Sequence, residues 1–168
     1  MTESARLDVA GVQGRRESAT KLWISIGAGL FLVALTVSAW ALPQLRLLHM
    51  LQALIYIAIV ILAHRNSAWG FGAGATMAVA WNSLNLFVTH LMEVGAVAFW
   101  HFVRTGRVQA LVPMMVALGG IAHFILLAAC LAAILQQRPE RHKWWKFMGG
   151  GLICVAYLVL IVVIANPR

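Results

Sequence analysis

A chain of 168 residues in which 62% are hydrophobic and only 11% are charged lies far outside the soluble average, and its mean hydropathy is +0.85. The net charge of +8 and the pI near 10.8 do not mark a nucleic-acid binder, because the basic residues flank apolar runs and form no contiguous patch. Composition therefore excludes a soluble domain and predicts an all-α integral membrane protein whose main partner is the lipid bilayer.

Residues 1–22 are polar and mixed in charge, with Arg6, Arg15, Arg16 and Lys21 against Glu3, Asp8 and Glu17. They read as a cytoplasmic tail, and residues 23–168 as a single transmembrane helical domain. The first span, 23–42, has the length of about 20 residues that a bilayer core requires. Trp23 and Trp40 bracket it as interfacial aromatics do, and Pro43 ends it. Ala39-Trp40-Ala41 also has the form of a signal-peptidase site, but the long polar segment before it favours a retained helix.

The second span, 45–64, carries Arg46, His49, Gln52 and Tyr56 at helical spacing, so they share one face. The third, 68–93, opens with Gly70 and Gly74 in a G-x-x-x-G, a spacing that lets helices approach closely in lipid. Apolar sequence then continues to Val103. At about 1.5 Å per residue that is over 50 Å, against a hydrocarbon core of about 30 Å. The chain is therefore expected to bend near Gly95 and run on as a short interfacial segment, 94–106, through Trp100, His101 and Arg104 to a stop at Thr105-Gly106.

The fourth span, 108–136, has Pro113 near its start, which places the true helix start near Val112. Gly119, His123 and Cys130 share one of its faces. A charged linker, 137–143, leads to the last span, 144–165, which opens with Trp144-Trp145 and contains Gly149-Gly150-Gly151. Cys130 and Cys154 lie in apolar runs with no C-x-x-C and read as small hydrophobes.

Five spans allow an orientation test. An inner N-terminus collects Arg6, Arg15, Arg16, Lys21, Arg65, Arg138, Arg141, Lys143 and Lys146 on the cytoplasmic side, against Arg46, Arg104, Arg107 and Arg168 outside. The bias predicts a five-helix bundle, N-in and C-out, in the plasma membrane of a prokaryote.

Chemistry is expected around Glu93, the only acidic residue between Glu17 and Glu140. An unpartnered charge at the centre of a membrane helix costs about 2.5–3.5 kcal/mol on insertion scales. If residues 81–101 form one helix, His90 and His101 lie within about 20° of each other, with Asn82, Asn85, Thr89 and Glu93 fanning out beside them. This stripe and the one on the second span fall at the same outer depth. They predict an outward-facing polar cavity between the second, third and fourth spans, with Glu93, Arg46, His49, His90, Gln52, Tyr56, Asn82, Asn85 and Thr89 as ligand-binding candidates. Arg46 would be the counter-ion of Glu93, Glu93 the charge or proton carrier, and His49 and His90 the groups that tune it.

The first expectation is thus a protein that binds or transports a small molecule, lipid or ion. A second, different in class, is a haem- or metal-dependent membrane redox enzyme or subunit. Its ligands would come from His90, Glu93, His101, His49 and His123, although bundle metal sites usually draw on several carboxylates and only one is present. A third is a structural subunit of a larger membrane complex, or a homo-oligomer, packed through its glycine face and tryptophans. Against all three stands a bland alternative: a hydrated Glu93 at the interface, His123 as a hydrogen-bonded packing residue, and Arg104 and Arg107 among headgroups. No serine elbow, reactive cysteine context or phosphate-cradling glycine loop points to catalysis.

Overall fold

The computed structural model describes residues 3–137 and 142–165, with side chains from residue 14 onward. The linker residues 138–141, Arg168 and the side chains of Glu3, Arg6 and Asp8 lie outside the described residues. Among those described, the chain is helical with no strand. The elements are α1 (Glu3–Ala41), a short 3-10 turn (Pro43–Leu45), α2 (Arg46–His64), α3 (Ala68–Ser83) continuing through a π turn (Leu84–Val88), α4 (Leu91–Thr105), α5 (Leu111–Gln136) and α6 (Lys143–Ala165). Within the described residues, four helices are long and apolar enough to cross a membrane, or five when α3 and α4 count as one bent span. This is the helix content of a multi-pass membrane protein.

The expected polar tail continues the helix of the first span without a break, so α1 runs unbroken over 39 residues. Leu42 leaves helical geometry and Pro43 opens the following turn, where its missing N–H and fixed φ cost nothing. At the other end of the bundle, α2 closes on Asn66, which takes a left-handed conformation with φ 54°. Its N–H bonds the Ala63 carbonyl, and the Ser67 N–H bonds the Leu62 carbonyl. These two bonds satisfy carbonyls the helix end would orphan and reverse the chain into α3.

α3 is the central element and packs on α2, α5 and α6. Eight of its sixteen residues are buried, most of them glycine or alanine. Small residues matter here because apolar side chains gain little by leaving lipid for protein, so close backbone approach and van der Waals contact hold the helices together. A Cβ added at Gly72 would strike the Phe147 carbonyl of α6, and one at Gly150 would strike the Trp69 carbonyl of α3. Gly72 and the Gly149-Gly150-Gly151 step therefore make the α3–α6 crossing. The G-x-x-x-G pair serves other neighbours: Gly70 seats against Leu62 at the end of α2, and Gly74 against Cys130 on α5 and Ile59 on α2. α1 closes on α5 at Gly27, over the Ala122 carbonyl and the Leu126 N–H.

The bend after the third span differs from expectation. It lies at Thr89–His90, not Gly95, and turns the helix axis by 92°. The π turn widens the last turn of α3, with the Thr89 N–H reaching back to the Leu84 carbonyl. His90 then takes φ 54° and α4 starts in a new direction. Residues 81–101 are therefore not one helix, and the expected third span to residue 93 ends at Val88. Gly95 is instead a contact point: buried on α4, it leaves just enough room for the backbone of Ala117 on α5. α4 ends where expected, with Gly106 left-handed at φ 67°. α5 begins at Leu111 with Pro113 in its first turn.

Candidate functional site

Four helices converge on His123. Its ring is fully buried, stacked on Trp81 of α3 at 4.6 Å between ring centres and 13° between planes. Phe31 of α1 meets it edge-on at 4.1 Å. The hydrogen bonds assign the tautomer. Nδ1 lies 2.7 Å from the Gly119 carbonyl, one turn earlier on α5, and a carbonyl can only accept, so Nδ1 carries the proton. Nε2 of the neutral ring is then a lone pair, and it accepts from the Tyr56 hydroxyl of α2 at 2.5 Å. Every polar atom of the pair is satisfied, which is the condition for burying them in an apolar core. Tyr56, expected as a cavity residue, thus belongs to a core node with His123.

Directly above this node, toward Leu42 and the bend, lies a cavity of about 230 Å³. Its floor is Phe31 and Trp81, the same two rings that pack on His123. Its walls come from the ends of α1, α2 and α5, the π turn and the first residue of α4. Among its lining residues Leu84, Thr89 and Leu91 are exposed, which puts its mouth at the bend.

Five polar side chains line it: Ser38, His49, Gln52, Asn85 and Thr89. Two of them bond each other, since the Thr89 hydroxyl donates to Asn85 Oδ1 at 3.2 Å while Asn85 Nδ2 donates to the Trp81 carbonyl at 2.9 Å. These bonds also serve the widened π turn. The side chains of Ser38, His49 and Gln52 find no hydrogen-bond partner among the described residues, and Nδ1 of His49 is buried. Asn82 stands one turn before the cavity residues on α3, its Oδ1 buried and unpartnered.

Of the residues expected to share a chamber, then, His49, Gln52, Asn85 and Thr89 do so. Arg46, His90 and Glu93 do not line this cavity. Glu93 is exposed, its side chain 70% accessible, and its ion-pair partner is its neighbour His90 at 3.4 Å. The bridge expected from Arg46 is not formed. Glu93 parts from Asn85 and Thr89, contrary to the expected single helix, because the backbone turns between them. Among the described residues no three histidines, cysteines or acids come together as a metal site. His90 and Glu93 are only a pair, His101 sits half-buried on α4, and His123 is held by Tyr56 and Gly119.

No protein-family model, curated protein or solved structure matches this chain. The site therefore stands on its own geometry.

Sequence reasoning missed Phe31, Ala34 and Ser38, which bring α1 into a cavity expected between three other spans. α1 has a long run of apolar residues, so no polar stripe marked its inner face. Trp81 was legible only as the first residue of a polar stretch. The floor it forms with Phe31 over His123 depends on α3 packing on α5, which no local pattern encodes.

Proposed function

We propose that this chain is a membrane protein that binds a small, lipid-soluble molecule in the cavity above Phe31 and Trp81. One observation carries the reading. Ser38, His49 and Gln52 enter a cavity inside an apolar bundle and meet no hydrogen-bond partner among the described residues. A hydrogen-bonding group stranded in hydrocarbon costs several kcal/mol, so these side chains call for a bound molecule or water. The volume fits a molecule, since an apolar cavity of about 150 Å³ already accepts benzene.

The bundle supports the division of labour. The Tyr56–His123 node and the glycine crossings hold the floor rigid, while the mouth lies at the π turn and the left-handed His90, where regular helix bonding is interrupted. The excess of basic residues on the other side supports an N-in orientation, which opens the cavity at the outer face of a cell membrane.

Native mass spectrometry of the protein released from bilayers tests this. Wild type is expected to carry a small-molecule adduct that Ala34→Phe, whose ring occupies the cavity, lacks at unchanged helicity. An Ala34→Phe protein that retains the same adduct would overturn the assignment to this cavity.

A further inference from the structure

Among the described residues, no acid and no permanently charged base lines the cavity. Arg46 sits at the first turn of α2 and Glu93 on exposed α4, and both side chains stay outside. A charged ligand entering here would exchange water for Leu35, Leu48, Val112 and Met115 with no counter-ion, and an unpaired charge in such surroundings is strongly disfavoured. Of its three unpartnered polar side chains, Ser38 comes from α1, while the His49 ring and the Gln52 amide lie one turn apart on α2 and so face the same way. A neutral imidazole offers one donor and one acceptor, and the amide offers both kinds as well. A single hydroxyl, which donates once and accepts twice, satisfies one group of each kind with one heavy atom. A carbonyl would only accept.

We propose that the ligand is an uncharged molecule of single-ring size bearing a hydroxyl, which hydrogen-bonds His49 and Gln52 while its apolar face lies on Phe31 and Trp81. This rests on the reading of the cavity as a binding site. The floor favours a ring, because Phe31 and Trp81 are already held at fixed angles by His123, and offset or edge-on contacts between rings add to simple burial.

Four probes of nearly equal size separate the parts of the proposal: phenol, toluene, benzoate and benzylammonium, titrated calorimetrically into the full chain in nanodiscs against empty nanodiscs. Phenol is expected to bind about tenfold tighter than toluene, the effect of one to two net hydrogen bonds, and neither ion is expected to bind above the empty-disc background. In the double variant His49→Leu, Gln52→Leu the phenol-to-toluene ratio is expected to fall to about one. That ratio is internal to one protein preparation and so does not depend on the yield of folded variant. Benzoate or benzylammonium binding as well as phenol would overturn the uncharged ligand. Equal binding of phenol and toluene to wild type would overturn the hydroxyl and leave the cavity reading intact. Failure of all four probes to bind would overturn the cavity reading itself.

Discussion

The Tyr56 hydroxyl donates to Nε2 of His123 between α2 and α5, and neither side chain has any exposed surface. This bond joins two helices that both pack on α3. Removing the hydroxyl leaves an imidazole lone pair buried without a donor. Tyr56→Phe is therefore expected to destabilise the bundle by about 1–2 kcal/mol, read from reversible unfolding in mixed micelles. A double-mutant cycle with His123→Leu should give a coupling of similar size, because the two side chains share one interaction. A coupling near zero would mean the bond adds nothing beyond packing.

The α3–α6 crossing gives a second expectation. Gly72→Ala and Gly150→Ala each drive a methyl into a backbone carbonyl of the facing helix. A carbonyl in a helix cannot move aside as a side chain can, so the helices must part and the contacts along the crossing are lost together. Each variant is expected to lose at least about 2 kcal/mol in the same unfolding assay. Gly29→Ala is the control: nothing lies within 4 Å of an added Cβ, and the higher helix propensity of alanine should leave stability unchanged or raise it by up to about 1 kcal/mol.

Glu93 is expected to be dispensable. Its carboxylate is largely exposed and, among the described residues, pairs only with His90, an arrangement that contributes little in water. Glu93→Gln should shift stability by no more than about 0.5 kcal/mol and leave the adduct seen in native mass spectra unchanged. A lost adduct would bring the carboxylate back into the site.

The bend carries its own test. His90 is held left-handed at φ 54°, a region that costs a residue with a Cβ about 1–2 kcal/mol and glycine nothing. His90→Gly is expected to be neutral or mildly stabilising, and His90→Val destabilising by about 1–2 kcal/mol or more, since a β-branched side chain is worst there. Equal effects of the two variants would mean the bend is not held at this residue.

Orientation is read out by thiol labelling. Cys130 and Cys154 are buried and unpaired, so an impermeant maleimide should leave the parent protein unlabelled in intact cells. With the N-terminus inside, Arg107→Cys should label from outside, and Arg65→Cys only after the cells are opened. The reverse pattern would place the cavity mouth at the cytoplasmic face.

The helical, lipid-embedded character of this chain was legible because it depends on sums along the sequence. Runs of apolar residues long enough for the bilayer, prolines at 43 and 113, and glycine at 106 act through local backbone chemistry, and each marks an element end close to its place in the structure. The polar stripe on α2 was legible for the same reason: His49 and Gln52 share a face whatever surrounds them. The stripe on the third span was not, because its periodicity assumed a straight helix. The π turn and the left-handed His90 reset the phase, carrying Asn85 and Thr89 into the cavity and Glu93 away from it.

Amino-acid order alone thus determined that the chain is helical and that several of its helices are long and apolar enough to cross lipid, since hydrophobicity and backbone propensity are properties of neighbours in the chain. Which side chains meet was decided by tertiary structure. Packing of α3 on α5 brings Trp81 over His123, and the close approach of α1 to α5 at Gly27 brings Phe31 beneath the cavity. Such contacts join residues far apart in sequence, where geometry between helices rather than pattern within them chooses the partner.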